Sequence, residues 1–198
     1  KAITFDLGGK NLTRASDATG YMFTVAADVD IVNGAIDGGA AKVLDVLENG
    51  DVLFDDISVT AAKHGFLNVY AGKLTVGANA VVSSTKAAVY MGAEVNVYGK
   101  IERIYDNEEY PLFWVDSGSL NVYDGATVQC GKGDVVRSNE GSAVINIYGG
   151  TVLAQKSITQ GTVNQYGGTF NLNDTLKAAL NISDGTFVAN SSGAVNGT

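Results

Sequence analysis

Six near-copies of one short phrase constrain the fold of this chain more than any other feature. They are "LNVYAG" (67–72), "VNVYGK" (95–100), "LNVYDG" (120–125), "INIYGG" (145–150), "VNQYGG" (163–168) and "LNISDG" (180–185). The shared pattern is apolar, Asn, apolar, Tyr, turn, with Gln165 in the second apolar place of one copy and Ser183 replacing the last Tyr. The asparagines are Asn68, Asn96, Asn121, Asn146, Asn164 and Asn181, at intervals of 28, 25, 25, 18 and 17 residues. Weaker copies upstream ("FDLGGK", "VDIVNG", "LDVLENG") put Asp6, Asp30 and Asp45 in the Asn place. Such intervals are too long for one hairpin and too uneven for the fixed-length helical repeats.

The local pattern is strand. "FLNVY", "EVNVY", "SLNVY" and "AVINIY" alternate apolar and polar residues at period two. Short second strands follow the Gly turns, as in "KLTV" (73–76), "ATV" (126–128), "GTVLA" (150–154), "GTFNL" (168–172) and "GTFVA" (185–189). The best helical candidate is the short "TLKAAL" (175–180). A coil of two or three short strands takes about 17–28 residues, and coils stack about 4.8 Å apart. A β-sandwich also has many short strands, but it does not need the same letters at one place in every unit. The expectation is an all-β chain: a single-stranded, right-handed parallel β-helix (β-solenoid) of about eight coils. Residues 1–198 then form one domain.

Period two assigns the repeated positions to faces. Leu67 and Val69, Val95 and Val97, Leu120 and Val122, Ile145 and Ile147, and Leu180 and Ile182 line the core. Gln165 breaks that series, and either finds a partner inside or marks a distortion. The six asparagines share the other face, where stacked amides bond one to the next and fix the register. Tyr70, Tyr98, Tyr123, Tyr148 and Tyr166 form an outward aromatic stack, preceded by Leu47 and Val32 and ended by Ser183. Such pairs stabilise a sheet by about 0.2–1 kcal/mol each. The same strip, with Asn beside it, offers a surface on which a polysaccharide or host glycan stacks. Packing against a neighbouring domain of the parent chain is a third use.

Function also concentrates where repeats break. "RIYDNEEYPLFW" (103–114) holds the only Pro and the only Trp. Tyr105, Tyr110, Phe113 and Trp114 make a candidate binding patch, and Asp106, Glu108 and Glu109 a candidate Ca²⁺ cluster. Asp55 and Asp56 in "FDDISV" resemble an acid–base pair. Adjacent strand residues face opposite sides, however, which makes them turn residues instead. Cys130 has no second cysteine, and the only histidine, His64, is remote in sequence. A buried thiol is the expectation.

Composition narrows the classes. The chain is 45 % hydrophobic and 17 % charged, with 25 Gly and one Pro, which argues against disorder. Net charge is -8, which disfavours nucleic acid and anionic membrane surfaces as partners. No apolar run reaches the roughly 18 residues of a membrane span. The start at Lys1 without Met suggests a trimmed or mature fragment.

Three stretches carry a resemblance: "ITFDLGGKNLT" (3–13), "FTVAADVDIVNGAIDGG" (23–39) and "VLENGDVLFDDISV" (46–59). They resemble the opening coils of pectate-lyase-like β-helix proteins. The later "NVYGG-T" coils resemble β-helix regions of large bacterial surface proteins, such as adhesins and autotransporter-like passengers. The resemblance implies an extracellular or cell-surface location, a glycan or polysaccharide partner, and neighbouring domains. Hydrolases of this superfold pair their Asp-Asp with Asn-Thr-Asp, Gly-His-Gly and Arg-Ile-Lys motifs, none of which occurs here. Its lyases set a basic residue beside an acidic Ca²⁺ cluster, and Arg14, Arg103 and Arg137 stand in no such cluster. The expectation is a non-enzymatic stalk or adhesin with no catalytic residue and no cofactor beyond the Ca²⁺ candidate. The alternatives are a polysaccharide lyase or glycoside hydrolase of the same superfold, and a trimeric phage tailspike fragment.

Overall fold

A computed structural model describes residues 2–15, 20–62, 65–104, 110–138 and 141–191. Among them every regular element is a β-strand, and the registered pairs are parallel. The chain is a parallel β-solenoid, and each turn contributes a strand to three sheets. The first sheet begins with the leading halves of Ile3–Thr13, Asp28–Asp37 and Asp51–Ala61. It continues through Lys73–Val76, Glu94–Val97, Ser119–Val122 and Val144–Ile147, then the trailing halves of Ile158–Gln165 and Leu176–Ile182. The second sheet takes the trailing halves of those first three strands. It runs on through Val81–Ser84, Lys100–Arg103, Thr127–Cys130, Thr151–Ala154, Thr169–Leu172 and Thr186–Ala189. The third sheet stacks Tyr21–Val25, Lys42–Val46, Leu67–Val69, Val89–Met91, Phe113–Val115 and Val136–Ser138. It closes with the leading ends of Ile158–Gln165 and Leu176–Ile182.

Alternation produces the core. Val52, Leu74 and Val95 of the first sheet, Val59, Val82 and Ile101 of the second, and Leu67, Val89 and Phe113 of the third all point inward and are fully buried. Each such side chain stabilises the fold by about 1.5–3 kcal/mol relative to exposure. Cys130 lies in this core as a free, buried thiol. The first rung is the open end, with Ile3 and Phe5 roughly half exposed.

Several expectations change. Among the described residues, six turns, from Asp28 through Thr159, have a complete three-strand turn on both sides. The count of about eight coils therefore includes the open ends. "TLKAAL" is not helical; Leu176–Ile182 is a strand, with Leu176 and Ala178 buried and Lys177 exposed. Pairing to Ile158–Gln165 outweighs the helix propensity of so short a segment. Gln165 does point into the core and is fully buried. Its side-chain amide Nε2 donates to the Thr186 carbonyl at 3.1 Å and more weakly to those of Gly167 and Gly168. Its amino group therefore finds partners inside, at the turn that closes its rung.

Candidate functional site

The six copies do not form one column. Asn96, Asn121, Asn146, Asn164 and Asn181 pair one to one along the first sheet. Below Asn96 the same column continues as Thr75, Leu53, Asp30 and Thr4. Asp30 thus holds the Asn place, but Asp6 does not, since Thr4 occupies it. Asn68 lies in the third sheet, opposite Asp45 and Tyr90, and donates to the Asp45 carboxylate. The placing of Asn68 and Tyr70 with the others is therefore corrected. A complete turn, from Lys73 to Met91, separates "LNVYAG" from "VNVYGK". The phrase recurs in both sheets because both need an alternating strand followed by a turn.

Within the first sheet the amides form a continuous chain. Asn121 donates to Asn96 at 2.9 Å, Asn146 to Asn121 at 2.8 Å, Asn164 to Asn146 at 2.9 Å and Asn181 to Asn164 at 2.9 Å. Asn96 donates in turn to the Glu94 carboxylate at 2.6 Å. Although they sit on the outer side of the strands, Asn96 and Asn121 are only 7 % and 8 % exposed. For Asn121, Asn146 and Asn164, donor and acceptor on the column axis are both taken by neighbouring amides.

The tyrosines beside them stack face to face. Tyr98 and Tyr123 have ring centroids 4.3 Å apart with planes 4° from parallel. Tyr123–Tyr148 and Tyr148–Tyr166 are each 5.2 Å apart, at 16° and 11°. The rings therefore cover one another's faces and turn their edges and hydroxyls to solvent. Burial, and then the neighbouring Tyr98, pushes the Tyr123 phenol above its ordinary value.

A second aromatic file stands on the third sheet. Tyr70 stacks on Tyr90 (6.2 Å) and Tyr90 on Trp114 (5.6 Å), and the Arg137 guanidinium lies over Trp114 at 5.6 Å. Tyr90, Trp114 and Arg137 are register partners. Arg137 also grips the buried Asp134 through two nitrogens, at 3.0 and 2.7 Å. Tyr70 reaches past Gly92, whose lack of a side chain leaves room for the ring, and donates to Asp116 at 2.6 Å. Arg137, Asp116 and Asp134 were not among the sequence candidates. The intervals of 24 and 23 between Tyr90, Trp114 and Arg137 match a turn's length and were the available signal.

The hydrogen bond to Asp116, followed by burial and the Asp116 charge, pushes the Tyr70 phenol up to about 12 from its ordinary 10.0. An unfolded tyrosine ionises first, so this contribution to stability is complete below its ordinary value. It is lost as pH rises toward the folded value. An absorbance titration is expected to include a late-ionising tyrosine, Tyr70, with a midpoint near pH 12. Asp116→Asn is expected to return that midpoint toward the ordinary value.

The 103–114 stretch splits. Tyr105, Asp106, Glu108 and Glu109 lie outside the described residues, as does His64. Tyr110 is half-buried beneath the Lys86 ammonium at 5.7 Å, and Phe113 is a core residue. Arg103 is fully buried, pointing inward between Ser84 and Cys130 in register, with its guanidinium against Gly133. Asp55 and Asp56 sit at a corner of the Asp51–Ala61 strand, where Asp56 adopts φ of 48°. Among the described residues, no three His, Cys, Asp or Glu side chains cluster to hold a metal.

No protein-family model, curated protein or solved structure matches the chain.

Proposed function

We propose that this chain is a rigid, non-enzymatic module of a bacterial cell-surface protein, of the stalk or adhesin kind and pectate-lyase-like in architecture. One observation carries the reading: the repeated polar and aromatic groups are engaged by each other. Four consecutive Asn–Asn bonds and three face-to-face tyrosine pairs run along one side of the solenoid. Such side-chain ladders resist slippage between coils, which favours a stiff rod. To a saccharide, the middle of the strip presents ring edges and hydroxyls rather than open ring faces.

A panel of plant, bacterial and host polysaccharides, assayed for new reducing ends and for unsaturated products, tests the reading. It expects no cleavage of any member. Cleavage of one would establish the enzymatic alternative and overturn the stalk reading.

A further inference from the structure

Both ends of the solenoid expose positions that are core everywhere between them. One inward column of the first sheet begins Ile3, Val29, Val52 and ends at Leu180. The next begins Phe5, Ile31, Phe54 and ends at Ile182. In the second sheet a column begins Leu12, Ile36, Val59 and ends at Phe187. One turn in from the start, Val29, Ile31 and Ile36 are at most 6 % exposed, whereas Ile3, Phe5, Leu12 and Ile182 are exposed.

The backbone at these ends is open too. Among the described residues, Ile3–Thr13 pairs only with Asp28–Asp37, and Thr186–Ala189 only with Thr169–Leu172. An edge left open offers its N–H and C=O groups to another strand, and protected edges carry Pro, an inward charge or a covering element. The inward places of the first strand hold Ile3, Phe5 and Leu12 instead. Ile3 and Phe5 join Met22, Phe23 and Val29 around a largely apolar cavity of about 350 Å³.

The two ends match each other. With the columns continued across one strand spacing, Leu180 meets Ile3, Ile182 meets Phe5 and Phe187 meets Leu12. On the outer face Asn181, the last amide of its column, meets Thr4. At the corner Gly185 meets Lys10, which sets the exposed Asp184 beside an exposed ammonium. The corner between Asp6 and Lys10 is two residues longer than the one above it, and the strands on either side of it pair nonetheless. Parallel pairing also gives the match a direction, because two like ends brought together would run antiparallel.

We propose that the first rung docks the last rung of a second copy, so that chains stack end to end as one continuous solenoid. The contact is heterologous and does not close, so it propagates. It holds for a stalk and for an enzyme alike, since it rests on register and exposure alone.

Sedimentation velocity of the full chain over about 1–200 μM tests it. The weight-average mass is expected to rise past twice that of the monomer. Phe5→Lys spoils the lower face and Ile182→Lys the upper, and each chain alone is expected to stay monomeric. An equimolar mixture of the two is expected to form dimers and nothing larger, because one intact upper face meets one intact lower face. Both positions are exposed, and circular dichroism and melting confirm that each variant is folded. Four results would overturn the proposal: an unaltered chain that is monomeric throughout, either variant associating by itself, a mixture that stays monomeric, or a mixture that grows beyond dimers. Association of Ile182→Lys chains with one another, for instance, would place two first rungs together.

Discussion

Gly118→Ala is expected to lower the stability of the solenoid by about 3 kcal/mol or more. Gly118 adopts φ of +90°, which L side chains rarely adopt, and an added Cβ would overlap the Ala93 carbonyl oxygen. It would also lie 2.7 and 2.8 Å from the Ala93 carbonyl carbon and nitrogen. Backbone atoms cannot rotate away as a side chain can, so the corner has to move. That corner carries the register of three turns: Ser119 N–H donates to Ala93, and Val144 N–H donates to Gly118. Gly125→Ala is the matched comparison. Gly125 has φ of +81°, but its nearest obstacle is 3.9 Å away, so only backbone strain of about 1–2 kcal/mol applies. Urea unfolding followed by circular dichroism measures both. Equal losses would mean that the close approach at Gly118 contributes nothing.

Asn121→Ala is expected to cost about 2–4 kcal/mol. Asn121 is the donor to Asn96 and the acceptor from Asn146, and it is only 8 % exposed. Truncation removes both bonds and leaves two amide groups without their partners in a largely dry position. The Tyr123 hydroxyl, 3.4 Å from the Asn96 oxygen, is too long a contact to replace the lost bond fully. Asn181→Ala makes the control: it ends the column, is exposed and serves only Asn164, so a loss of about 1 kcal/mol or less is expected. Residues kept for a ligand would show the opposite pattern, with stability unchanged at both positions.

Much of the fold was legible because a solenoid writes its cross-section into the sequence. The alternation in "EVNVY" and "AVINIY" gives the inward pairs, and the intervals of 25, 25, 18 and 17 correctly join Asn96 to Asn181. What local pattern does not encode is which of three sheets a strand enters. Asn68 has the right letters and the wrong sheet, and only the extra turn hidden in the interval of 28 reveals it. Ring orientation is likewise absent from the letters. Period two identifies an outward tyrosine column, but stacked and splayed rings share one sequence. The inward place of Arg103 was legible, two residues beyond the inward Ile101, although a charge in that position reads more naturally as surface. The Tyr70–Asp116 bond spans 46 residues and two turns, and becomes visible only once the third sheet is assembled.

The central claim is that the repeated asparagines are engaged with one another. Side-chain amide hydrogen exchange, followed by NMR at each Asn Nδ2 group, tests it most directly. Asn121, Asn146 and Asn164 are expected to exchange slowly, with Asn181 faster at the exposed end. Exchange of all of them at the rate of free amides, with protection appearing only on addition of a saccharide, would contradict the account.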